Sequence, residues 1–328
     1  MSRSDPFGET QDVAITVLVD NRADLIVKST DTVKYFDDEP LLAEHGFSAL
    51  VDLKEIGLRI LWDAGISSIA LMENVKRMKI DLATIQKIAL SHGHGDHTAA
   101  VTDVLRAMDV MPASKEWSQT ATPKEMRRYA EGRRVPVIAH PAAFRERWHM
   151  PKDEKWYGPM FPPPRAEWEA LGAEIILSEG PCQLGPGCWT LGSVPRQSFE
   201  SSGIPKAMTY REGETFIPDY VEEDQAIAIN VRNKGLVVLS GCAHSGIVNT
   251  VNHARQISGV EQVYAILGGF HLARVKDDEL GQTIEAIKAF RPRLIVPSHC
   301  TGFKATAQFA AQMPDAFMPN VVGATYSF

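Results

Sequence analysis

The chain is short of cysteine, of long apolar runs and of positive charge, and each shortage closes a class of function. Its four cysteines, Cys182, Cys188, Cys242 and Cys300, are too few and too scattered among 328 residues for a disulfide-stapled secreted protein. No apolar run approaches the length of a membrane span. The first residues, MSRSDPFGETQDVAIT, lack the apolar centre of a secretory signal, so a cytoplasmic location is expected. A formal net charge of −7 argues against nucleic acid as a partner, which calls for a concentrated basic surface. A local pocket for a small anionic molecule remains compatible with that charge. With 44% hydrophobic and 23% charged residues the composition is that of a globular protein. The length allows one large domain or two ordinary ones, and nothing in the pattern fixes an oligomeric state.

The N-terminal third reads as strands: VAITVLVDN (13–21), FSALVDL (47–53) and GLRILWDAG (57–65), then a helix around 68–79 and the strand IQKIALS (85–91). A helix is expected over 98–109. Residues 141–168, rich in Trp, Pro and charge and containing FPPP, read as an excursion off the main fold, a candidate lid. Cys182 and Cys188 flank QLGPG, a hairpin turn whose two thiols read as incidental and on the solvent side. Strand-like segments at 188–194 and 225–231 follow. Then LVVLS, QVYAIL and RLIVPS alternate with helices at 246–257, 279–290 and 303–312, as in a sheet with helices packed outside.

What the chain does have is histidine where strands stop. Asp63, His92, His244, His271 and His299 each lie just past the end of an apolar strand, the edge where ligands bind in α/β folds. Six of the ten histidines are there, and three fall in the single stretch SHGHGDHTAA (91–100). From this chain's own composition, H-x-H-x-D-H is expected by chance in on the order of one such sequence in two thousand. In an extended segment His92 and His94 point the same way and can share an ion. Gly93 and Gly95 are expected to supply unusual backbone torsions. Asp96 and His97 then open the next helix, aimed at a second position. Imidazoles with a carboxylate suit zinc first, with manganese or iron as alternatives. One loop cannot close two metal shells, so other strand ends must contribute.

With Asp63 before it and late strand-end histidines after it, this motif resembles the metallo-β-lactamase-fold hydrolase superfamily over most of residues 13–312. AEHGFS (43–48), SVPRQSFE (193–200), GLVVLSGCAHSGIVN (235–249), GGFHL (268–272) and PSHCTG (297–302) bring it closest to the dihydropterin–ribofuranosylaminobenzene phosphate synthase branch. The resemblance implies a single domain, a four-layer αβ/βα sandwich, with two divalent metals at the sheet edge. It implies that His92 and His94 bind the first metal, that Asp96, His97 and His299 bind the second, and that Asp63 braces the site. The family's bridging carboxylate is replaced by Cys242, a candidate thiolate ligand or a small buried residue. His244 is assigned as the missing ligand of the first metal.

Other candidates stand beside plainer roles. His271 is a general acid or substrate contact, or else orients a neighbouring ligand. His45 gains weight only from the resemblance. Arg196 offers a planar fork for an anion. Helix starts at Ser245-Gly246 and Thr301-Gly302 could receive a phosphate, or be simple caps. His253 is expected on the surface. The expected chemistry is hydrolysis of a phosphorylated or otherwise anionic small molecule. A transferase joining a pterin to an aryl ribose phosphate is the alternative, and a non-catalytic metal- or ligand-binding protein is the third.

Overall fold

The computed structural model describes residues 7–108, 110, 118–123, 125–127, 132–149, 157–160, 162–201, 203 and 207–328. In chain order the first strands are β1 (Val13–Val19), β2 (Val33–Tyr35), β3 (Ser48–Leu53), β4 (Leu58–Trp62), β5 (Lys87–Ala89) and β6 (Val135–Ala139). Next come β7 (Arg147–His149), β8 (Tyr157–Met160), β9 (Ala173–Leu177), β10 (Cys182–Gly185), β11 (Cys188–Thr190), β12 (Met208–Glu212) and β13 (Thr215–Pro218). The last are β14 (Ala226–Val231), β15 (Gly235–Ser240), β16 (Val263–Gly269), β17 (Leu294–Ser298) and β18 (Ala324–Ser327). Among the described residues they form three sheets, in the orders β2-β18-β1-β3-β4-β5-β6-β9, β10-β11-β14-β15-β16-β17 and β13-β12-β7-β8.

Period-two alternation builds the layers. Ile60 and Trp62 of β4 face the second sheet, and Leu61 between them faces the outer helices. On the second sheet Val237 and Leu239 of β15 face back across the sandwich, while Leu236 and Val238 turn outward. Helices α1 (Ser68–Arg77), α2 (Gly95–Thr98), α3 (Val101–Ala107) and α4 (Arg165–Ala170) belong to the first half of the chain; α1, α3 and α4 contribute to the core outside the first sheet. Helices α5 (Ile247–Ser258), α6 (Asp277–Phe290) and α7 (Phe303–Gln312) cover the second. The result is the αβ/βα sandwich expected, with no described helix long and apolar enough to cross a membrane. Ser67 shows how the sequence starts a helix here: its hydroxyl accepts from Ile69 N at 3.1 Å, and Ala70, Leu71, Asn74 and Val75 then fall on one buried stripe.

Two expectations need correction. Residues 141–168 are not one excursion. Residues 150–156 and 161 lie outside the described residues, and β7 and β8 do form part of a small separate sheet. Trp168, however, is fully buried in the outer core, and its indole donates to Thr102 Oγ1 at 3.0 Å. FPPP misleads because the prolines end just where α4 begins, a position a helix tolerates. The β10–β11 hairpin, secondly, is not solvent-facing at both thiols: Cys188 is fully buried between the two large sheets.

Candidate metal centre

β4 and β5 run parallel in the first sheet, as do β15, β16 and β17 in the second. Their C-terminal ends meet, bringing Asp63, the 92–97 loop, Cys242, His244, His271 and His299 together. His92 Nε2 and His94 Nδ1 are 3.0 Å apart. Two nitrogens each about 2.05 Å from a tetrahedral zinc would stand about 3.3 Å apart, so the pair fits one ion. Asp96 Oδ2 is 3.7 Å from His97 Nε2, 3.3 Å from His299 Nε2 and 3.5 Å from His45 Nε2. Donor atoms of Asp96, His97, Cys242 and His299 lie within 4.8 Å of one another, and so do those of His92, Cys242 and His244.

The imidazoles are oriented from behind. His97 Nδ1 meets Asp63 Oδ2 at 2.7 Å, His244 Nδ1 donates to Gly203 O at 2.7 Å, and His299 Nδ1 meets Asn21 Oδ1 at 3.2 Å. Each leaves Nε2 facing inward, the arrangement that outer partners impose on metal-binding histidines. Buried His94 Nε2, His244 Nε2 and His299 Nε2 have no aligned hydrogen-bond partner. Unpaired buried nitrogens are costly unless something else satisfies them, and a divalent cation does. Burial first, then neighbouring histidines, push His92 and His244 far below the ordinary imidazole range, while burial and Arg147 bring His94 to about 4. They are thus neutral, as ligands must be. His97 differs: burial opposes its charge, yet Asp96 and Asp63 raise it to about 9. Burial also opposes ionisation of Asp96, but His97 and His299 overcome it and hold the carboxyl far below its usual range. A proton on His97 therefore does electrostatically what a second cation would do. The residues present fit a binuclear metal centre.

The backbone contributes. Asp63, Ala243, His271 and His299 all adopt positive φ, between 46° and 56°, which turns each chain sharply just past its strand. Gly93, expected to supply such torsions, does not. A Cβ there would meet Ala143 O at 2.1 Å, so what it supplies is space. Gly93 N donates to Glu223 Oε1 at 3.3 Å. Glu223 also pairs with Arg147, which is 4% exposed and reaches Asp219 Oδ2 at 2.7 Å. Ser91 is a hub: its hydroxyl is 2.7 Å from Asp63 Oδ2 and 2.8 Å from His92 Nδ1, and its N–H donates to Asp63 Oδ1 at 2.8 Å. Ser91→Ala should therefore weaken metal binding about ten- to a hundredfold, read by competition with a chromogenic chelator; unchanged affinity would deny the hub its role.

Other expected residues are placed differently. Arg196 donates to His244 O at 3.0 Å and to the carbonyls of Tyr220 and Val221, so it braces the His244 loop and is no free anion clamp. The start of α5 holds the chain's own carboxylate, Glu200, accepting from Val248 N and Asn249 N at 3.0 Å each. Thr301 Oγ1 accepts from Phe270 N at 3.1 Å, anchoring the His271 loop. Cys242 is buried with Sγ 3.2 Å from His97 Nε2. His45 stands at the rim with its side chain 62% exposed, and the His271 ring is 4.3 Å from that of His244. His253 is half-buried on α5, against the surface position expected. Sequence reasoning missed Ser91, Asn21, Glu223, Arg147 and Glu200. It also missed Asp224, whose Oδ2 accepts from Ser245 N at 2.8 Å and which burial raises to about 6. Ser91 could have been suspected from its place beside His92; the others are brought in only by tertiary packing.

No protein-family model matches the chain. It is 30% identical over 286 residues to the 7,8-dihydropterin-6-methyl-4-(β-D-ribofuranosyl)-aminobenzene-5′-phosphate synthase of Methanocaldococcus jannaschii, covering 85% of this chain and 88% of that one. An uncharacterized protein of the same archaeon is 29% identical over 290 residues, 87% of this chain and 93% of the other. Among solved structures, Tm1679, a metal-dependent hydrolase of the β-lactamase superfamily, superposes with a TM-score of 0.69 at 21% identity, covering 95% of this chain and 98% of that one. The metallo-β-lactamase-fold protein YhfI of Bacillus subtilis gives 0.52 at 10%, covering 97% and 100%. The chain has the metallo-β-lactamase fold and belongs to the dihydropterin–ribofuranosylaminobenzene phosphate synthase family within it.

Proposed function

We propose that this protein is a metal-dependent hydrolase acting on a phosphorylated or otherwise anionic small molecule. The observation that carries the reading is the convergence of metal-capable donors, Asp96, His97, Cys242 and His299 in one group and His92, Cys242 and His244 in another, each group within 4.8 Å. Held there, two divalent ions would supply an activated water and charge to neutralise what develops on the substrate. His92, His94 and His244 would hold the first, and Asp96, His97 and His299 the second. Asp63 keeps His97 in the tautomer that presents Nε2. His271, whose buried Nδ1 has no hydrogen-bond partner, would donate a proton to a leaving group. His45, exposed at the rim 3.5 Å from Asp96 Oδ2, would meet the substrate. Because Arg196 and the α5 start are internally satisfied, neither is free to take substrate charge.

The kinship with a synthase supports a second reading, a transferase joining a pterin to an aryl ribose phosphate with the same metals. Protein reconstituted with zinc is expected to hydrolyse a chromogenic phosphodiester and to lose that turnover on chelation. Metal-loaded protein that leaves the phosphodiester intact, yet forms product from a dihydropterin and an aryl ribose phosphate together, would replace the first reading with the second.

A further inference from the structure

Within the centre, one thiol stands among the donors of two groups. Cys242 Sγ lies within 4.8 Å of the donors of Asp96, His97 and His299 and equally of those of His92 and His244, while Asp96 also groups with His92 and His94. The thiol is 2% exposed and 3.2 Å from His97 Nε2. Its neighbours on either side are fixed. Gly241 packs so closely that a Cβ would meet Ser91 Oγ at 2.1 Å, and Ala243 turns the chain with φ of 55°. The backbone of β15 thus delivers this side chain to the midline of the centre with little freedom to withdraw. The flanking nitrogens, His244 Nε2 and His299 Nε2, are buried and have no aligned partner of their own. A second thiol, Cys300, is nearby, but it groups only with Cys242 and His271 and turns toward Cys242 O at 3.6 Å.

We infer that the Cys242 thiolate is a ligand shared by both metal positions, an assignment that rests on the binuclear reading above. On binding, the S–H bond breaks, its proton passes to solvent, and sulfur lone pairs form a bond to each ion, with no change of oxidation state. A shared thiolate selects for thiophilic ions, zinc, iron or cobalt, over manganese and magnesium.

The test is anaerobic titration of the reduced, metal-free full chain with cobalt(II), followed by absorption. Sulfur-to-cobalt charge transfer should grow through the second equivalent, to roughly twice its height at one. Cys242→Ser should lose that near-ultraviolet band and keep the weaker visible bands of cobalt bound by histidine and carboxylate. Cys300→Ser should keep both. A band that saturates at one equivalent in the unaltered protein would confine the thiolate to a single ion and overturn the sharing, whether or not the Cys242 variant folds. Persistence of the band in Cys242→Ser would assign it to another thiol and overturn the inference. If the unaltered protein showed no cobalt bands at all, the metal centre itself would be wrong, and the inference would fall with it.

Discussion

Replacing Asp96 by alanine should cut metal-dependent turnover at least about a thousandfold, roughly 4 kcal/mol of lost transition-state stabilisation, and lower the protein's metal content. Its Oδ2 is within 3.7 Å of His97 Nε2, His299 Nε2 and His45 Nε2, and no other described carboxylate shares a donor cluster with His97 and His299. Loss of that charge also strips His97 of the main partner that raises it to about 9. Asp96→Asn separates charge from shape: it should resemble the alanine variant in activity while disturbing the fold less. Metal analysis beside steady-state rates decides the matter. A variant with unchanged metal content and full rate would remove Asp96 from the chemistry.

Arg147→Met should destabilise the protein by about 3–5 kcal/mol, because it leaves two buried carboxylates, Asp219 and Glu223, without their cation. That corresponds to a fall in Tm on the order of 10 °C. The deficit should depend on pH with a definite sign. Burial first, relieved in part by Arg147, raises Glu223 from its ordinary 4.5 to about 7. In the fold the ionised form is the disfavoured one, so stability contributed by Glu223 is lost as pH rises from near 4.5 through 7. Without Arg147 the carboxyl rises further, and the variant should be closest to the unaltered protein at pH 5 and furthest from it at pH 8. Adding Glu223→Gln should recover part of the loss. Equal melting of variant and parent at pH 8 would mean that Arg147 is not holding this network together.

The alternation of strand and helix was legible because β4, β15, β16 and β17 are apolar runs of five to seven residues with a titratable group just past the end, and the helices of the second half lie within two residues of their expected starts. The H-x-H-x-D-H loop was legible for a related reason. Ligand chemistry confined to six positions leaves a local pattern, and the order of late strand-end histidines completes it. Glu223 and Asn21 left no such pattern, since a glutamate or an asparagine in a loop becomes a brace only when a distant segment is packed against it. The same holds for Arg196, whose fork found carbonyls 24 to 48 positions away. Trp168 was obscured by prolines that forbid a strand but merely precede a helix.

The left-handed backbone at Asp63, Ala243, His271 and His299 has an evolutionary consequence. Each is a non-glycine residue held where L side chains are uncomfortable, at about 1–2 kcal/mol apiece. At Asp63, His271 and His299 the side chain itself is what the edge uses, so its use is a reason to hold it there. A descendant that retained the sandwich and gave up the reaction would be free to drift toward glycine or asparagine at these places, and that drift would be a fossil of lost catalysis, readable before any assay was run.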